Sequence, residues 1–182
     1  MVRDYEALIV DTAHRTNLKP SLVAALIEQE SGGDPNVISA QWCVGLMQVG
    51  SDKLFPGRPA ISQLQDPAFN LSYGCGMLAG LFATWKAQSI ALAAYFGAID
   101  SEGHITGAQD ATGADGWDYV RAVESRIPAY LDLDKWAPVE VREKGWGKTW
   151  PEIKNTLYGV ASDALLRLRT IRANTDNLAG DL

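Results

Sequence analysis

Glu30 is the residue of this chain best placed to do chemistry, and the stretch from Ser21 to Gln48, SLVAALIEQESGGDPNVISAQWCVGLMQ, sets its place. Leu22, Val23, Leu26 and Ile27 recur at helical spacing, and Glu30 continues their face, four residues after Leu26 and seven after Val23. Glu28 lies about 200° away round the axis, on the solvent side. Apolar walls penalise the charged form of a carboxylate, so its pKa rises and it can hold a proton near neutrality. A general acid needs that property. The bland alternative is a glutamate in a fraying last turn that tips into water. Two further polar residues, Ser39 and Gln48, follow at nine-residue intervals.

Other chemistries have less to work with. Cys43 and Cys75 could pair, but the default is two buried thiols acting as small hydrophobes. His14 and His104 are the only histidines, and no close Cys/His cluster proposes a zinc site. No nucleophile motif, phosphate-binding glycine loop or internal repeat is present, so no cofactor or metal is implied. Asp34, in GGDPN, reads as a turn residue bonding its own backbone, and Asp52 as a cap for the next segment.

The elements that must position Glu30 are mainly helical. Residues 3–17 read as a helix with Tyr5, Leu8, Ile9, Thr12 and Ala13 inward, closing at Asn17. A second helix runs from about Ser21 to Ser31, opened by Pro20 and ended by Gly32-Gly33. Val37 to Val49 suits a small irregular sheet flanking a cleft, and Ser51 to Asp66, with Pro56, Gly57 and Pro59, a surface loop. Helices are expected at Pro67–Trp85, with Leu71, Cys75, Leu78, Leu81 and Phe82 buried, at Ser89–Ala98, and at Trp117–Leu131. A long loop spans Asp100–Asp115. Beyond a Trp-punctuated connector, Pro151–Ala173 keeps a regular apolar stripe.

Composition narrows the classes. The 182 residues suit one domain with an appendage, here 1–132 as the catalytic domain and 133–182 as connector and helical extension. A net charge of −6 argues against nucleic acid as the partner. No apolar run is long enough to span a bilayer. Asp4, Glu6 and Asp11 make the N-terminus unlike a secretory signal, so the expectation is a product made without its own export tag.

The order of motifs brings a family into view. Glu30-Ser31, the Pro35-Asn36 turn, Ser39 and Gly45-Leu46-Met47-Gln48 resemble the signature of soluble lytic transglycosylases. Asn70-Leu71, Gly74 and Leu78 are similar to the helix that follows, Ala93-Ala94-Tyr95 resembles the alanine-alanine-tyrosine motif, and Tyr119-Val120 with Val123 the tyrosine-valine motif. The resemblance covers roughly residues 5–131. One departure is Phe96, where the family has an asparagine after its tyrosine; a phenyl ring cannot make that amide's hydrogen bonds.

The resemblance implies a mainly α, lysozyme-like fold with a small irregular β element and an extra C-terminal helix. It also implies a peptidoglycan lytic transglycosylase in which Glu30 serves as acid, then base, to form a 1,6-anhydro product. Ser39 and Gln48 would bind the sugar and its N-acetyl group, Tyr95 would orient Glu30, and Tyr119 would line the cleft. Rivals are a goose-type-lysozyme-like hydrolase, for which a second carboxylate would serve as nucleophile or activate water, and a non-catalytic wall-binding or virion assembly protein. Action is expected at the bacterial cell wall. The missing leader and the added helix also fit a phage lysis or virion-associated product, with self-association or a virion partner through that helix.

Overall fold

The computed structural model describes residues 1–107, 109 and 113–136. After a 3-10 turn at Val2–Tyr5 come α1 (Glu6–Arg15), α2 (Pro20–Ser31), β1 (Cys43–Val44), β2 (Val49–Gly50) and α3 (Ile61–Leu64). Then follow α4 (Pro67–Trp85), α5 (Gln88–Phe96), α6 (Gly116–Arg126) and 3-10 turns at Ile127–Tyr130 and Leu133–Lys135. The described residues form two compact units, one of Met1–Ala79 with residues 121–136, the other of residues 80–120.

The first unit is built round α2. Pro20 starts it at a position where the missing N–H costs nothing, and Gly32, at φ 62°, ends it. Every residue from Pro20 to Ile27 is buried, so this is a core helix rather than the one-faced helix the apolar stripe predicted. The reason is long-range: α1 and both terminal 3-10 turns pack round it. Lys19 offers no side-chain cap; Asp134 supplies one, accepting from Ser21 N and Ser21 Oγ, each at 2.8 Å. That satisfies an orphan N–H and places negative charge at the positive helix end. Helix α1 buries Ile9, Thr12 and Ala13 as expected, with Leu8 half-buried, and also Val10 and Asp11, the latter paired with Arg15.

The expected small sheet is a two-residue antiparallel pair, Cys43 opposite Gly50 and Val44 opposite Val49, with one further bridge from Ile38 to Val44. The expected surface loop at 51–66 is different in kind. It contains α3 and buries Ser51, Arg58 and Leu64. Its Pro and Gly marked turns correctly, but the burial of Ser51, Arg58 and Leu64 is not shown by local composition. Helix α4 buries Leu71, Cys75 and Leu78 as predicted, with Asn70 and Gly74 on the same face; Leu81 and Phe82 are half-buried.

In the second unit α5 buries Ala91, Leu92 and Ala93 and stops at Gly97, φ 92°. Gly103 leaves no room for a Cβ against the Trp85 indole. The start of α6 carries a reciprocal cap: Asp118 N donates to Asp115 Oδ1 at 2.8 Å and Asp115 N to Asp118 Oδ2 at 3.2 Å. No described helix is long and apolar enough to cross a membrane. The expected helix 151–173, its partners, and the connector from residue 137 lie outside the described residues.

Candidate active site

Helix α2 ends in two glutamates with different surroundings. Glu28 is exposed, as its position round the axis predicted, and is also tied: Tyr130 Oη donates to its Oε2 at 2.9 Å. Burial, and then this hydrogen bond to Glu28, push the Tyr130 phenol up to about 12. Glu30 is half-buried and sits one residue before Ser31, which anchors the helix end to the loop beyond. Ser31 Oγ donates to Leu46 O at 2.8 Å, and Gly33 N donates back to Ser31 Oγ at 3.2 Å. Gly33 has to be glycine, because the backbone at Met1–Val2 crosses where its Cβ would stand.

The loop facing this helix end carries Ser39 and Gln48. Ser39 closes a turn: its N–H donates to Cys43 O (2.9 Å), its carbonyl accepts from Trp42 N (3.0 Å), and its Oγ accepts from Cys43 N (3.1 Å). The hydroxyl proton is still free to be donated. Gln48, with φ 46°, uses Nε2 to bond Gly45 O at 3.0 Å and Val37 O at 3.2 Å, which leaves Oε1 as an acceptor. Burial pushes the Cys43 thiol up, and the nearby Glu30 carboxylate acts in the same direction, while Ser39 and Arg58 oppose it. Glu30, Ser39 and Cys43 therefore share one neighbourhood.

Trp42 is a residue the sequence reading passed over. It holds a left-handed backbone, φ 61°, at the tip of the Ser39 turn, with its indole 48 % exposed. A bulky residue in that region is an outlier, and outliers of this kind gather at functional loops. The signal available was a tryptophan inside a polar turn next to the candidate acid.

Asn70 holds the loop in place from below. Fully buried on α4, it accepts from Met47 N at Oδ1 (2.8 Å) and donates through Nδ2 to Val44 O and Leu64 O, both at 2.8 Å. The backbone just before Gly45-Leu46-Met47-Gln48 and within it is thus fixed by one amide. Gly45, φ 78°, lies so close to Asn70 and Leu64 O that no Cβ fits.

Of the remaining candidates, Tyr95 is half-buried on α5, and Tyr119 on α6 is 4 % exposed. Phe96 stacks on Tyr119 with centroids 4.6 Å apart and an interplanar angle of 18°, which gives the departure at that position a packing role. Asp34 is the turn residue it was read as, its Oδ1 accepting from Asn36 N at 2.8 Å. Asp52 is exposed and caps nothing through its side chain among the described residues; its N–H instead donates to Pro59 O at 3.0 Å. Cys43 and Cys75 are separate thiols, the second fully buried beside Met47 Sδ at 3.7 Å. His14 bonds Trp136 O at 3.1 Å and His104 pairs with Asp100.

Several known proteins are similar to this chain. The chain is 40% identical over 68 residues to an endo-type membrane-bound lytic murein transglycosylase A of Klebsiella pneumoniae, covering 32% of this chain and 34% of that protein. It is 39% identical over 70 residues to the same-named protein of Citrobacter koseri, covering 34% of each. The chain thus spans about a third of the length of these relatives. Among solved structures, lytic transglycosylase Slt of Pseudomonas aeruginosa, an inactive mutant with one glutamate changed to glutamine, superposes with a TM-score of 0.54. It is 21% identical, over 79% of this chain and 26% of that one, and shows a mainly α, lysozyme-like fold. The transglycosylase SLT domain matches residues 7–110, which takes in Glu30, the clamped loop and Asn70. With more than half of its length inside that match, the chain belongs to the transglycosylase SLT domain family.

Proposed function

We propose that the protein is a peptidoglycan lytic transglycosylase that cleaves the β-1,4 bond between N-acetylmuramic acid and N-acetylglucosamine with Glu30 as its acid and base. The observation that carries this reading is the half-buried Glu30 at the end of a core helix, beside a loop clamped by Ser31 and Asn70, within the family match. Glu30 gives its proton to the glycosidic oxygen as the C1–O bond breaks. The C6 hydroxyl oxygen then attacks C1 and returns its proton to Glu30, leaving a 1,6-anhydro ring and the acid restored. Alternating between donor and acceptor favours a pKa near the working pH. Gln48 Oε1 is an acceptor for the N-acetyl N–H, and the Ser39 hydroxyl a donor to a sugar oxygen. The site of action is the bacterial cell wall.

Two-carboxylate hydrolysis draws no support from Asp34, which is engaged in its own turn. Mass spectrometry of muropeptides released from purified cell walls tests the proposal: anhydro ends are expected, and reducing ends would replace it with hydrolysis. Glu30→Gln is expected to reduce cleavage by at least about 100-fold with an unchanged thermal melt. Persistent clearing of cell walls by that variant would remove Glu30 from the mechanism.

A further inference from the structure

Arg58 is a buried cation without a counter-ion among the described residues. The residue is 9 % exposed, and among the described residues no carboxylate pairs with it. Its Nη1 donates to Met77 Sδ at 3.2 Å, a weak acceptor, and its Nε is buried with no partner at all. The faces of the guanidinium are covered instead: its carbon lies 5.5 Å from the Phe55 ring centroid and 5.7 Å from that of Tyr73. Cation–π contact on the faces stabilises the charge in part but supplies no acceptor for the in-plane donors, of which Nε is left without one.

We propose that Arg58, walled by Phe55 and Tyr73, is a binding site for a carboxylate, and that the carboxylate is one carried by the peptide on the wall glycan. The second half rests on the peptidoglycan reading given above. Burying a charge without a partner is costly, and a methionine or leucine would fill the space between two rings without that cost. A planar guanidinium fixed in position matches a planar carboxylate, two donors to two oxygens. The backbone fixes the position, since Arg58 N donates to Phe55 O at 3.1 Å and Asp52 N to Pro59 O at 3.0 Å. The location also fits: Arg58 and Glu30 each lie close enough to the Cys43 thiol for their charges to act on it. A glycan strand brings carboxylates on its peptides, not on its sugar rings' hydroxyl and acetamido groups, so this residue would read the peptide.

The test compares the full chain with Arg58→Met and Arg58→Lys. Initial rates are measured on peptide-bearing glycan strands and on the same strands with their peptide carboxylates amidated. Arg58→Met is expected to lose about tenfold in kcat/KM on the strands with free carboxylates and to change little on the amidated ones. Arg58→Lys, which keeps the charge and loses the fork, falls between. The melt of Arg58→Met should stay level or rise. Equal losses on both substrates, or no loss on either, would overturn the proposal. If the unaltered protein cleaves neither substrate, the transglycosylase reading fails but the site is still measurable. A wall tetrapeptide is then titrated calorimetrically, with its carboxylates free and with them amidated. Binding of the free form alone, lost in Arg58→Met, supports the site; equal binding of both forms, or none, overturns it. Inorganic phosphate binding as tightly as the peptide would also overturn it, as the mark of a generic anion site.

Discussion

Gly74 of α4 lies directly against the Met47 side chain: a Cβ at position 74 would stand 2.6 Å from Sδ and 2.9 Å from the Met47 Cβ. Four residues earlier on the same helix face, Asn70 bonds Met47 N at 2.8 Å. Asn70 and Gly74 therefore act as a pair, one gripping the backbone of the loop and the other making room for the Met47 side chain.

Asn70→Ala should be among the most damaging single substitutions in the first unit. It leaves Met47 N, Val44 O and Leu64 O without the amide, at about 1–3 kcal/mol for each group that stays buried and unpaired. Gly74→Ala should cost about 1–3 kcal/mol by overpacking against Met47. Denaturant titration measures both. A loss under about 0.5 kcal/mol for Asn70→Ala would mean that the loop holds itself.

At Trp42 two effects have to be separated, lost indole contact and relieved backbone strain. Trp42→Ala and Trp42→Gly lose the same indole, and only glycine adopts φ 61° without penalty. The glycine variant should be more stable than the alanine variant by about 1 kcal/mol. Both should bind glycan strands more weakly than the unaltered protein, because the half-exposed ring next to Ser39 offers an apolar face to a sugar. Equal melts for the two variants would refute the strain, and unchanged glycan affinity the ring's role.

The pair Asp100 and His104 sets a pH window for the loop of the second unit. Backbone N–H donation from His104, then the imidazole and the N–H of Glu102, lowers the Asp100 pKa; the hydrogen bond to Asp100 raises that of His104. The Asp100 contribution is complete above its unfolded pKa of about 3.9 and is lost as pH falls through the lowered folded value. That of His104 is complete below about 6.5 and is lost as pH rises through the raised folded value. The loop should be tightest between about pH 4 and pH 6.5. An NMR titration should place His104 above its ordinary value, with Asp100→Asn moving it back down. A midpoint indifferent to Asp100→Asn would contradict the pairing.

Much of the helical framework was legible in the chain. Pro20, Gly32 and Pro67 fix where α2 and α4 begin or end, through φ and missing donors that act within a residue or two. Asp34 declared its turn for the same reason, and the ordered motifs declared the family. Other features depended on residues far apart in sequence. Asp134 capping α2, Asn70 holding Met47 across 23 positions, and Arg58 lodged between Phe55 and Tyr73 have no local pattern to announce them. Periodicity told which face of α2 was apolar but not that its first two turns are enclosed on every side. Local rules settle backbone conformation residue by residue; which buried polar group meets which partner is decided only when the chain has closed on itself.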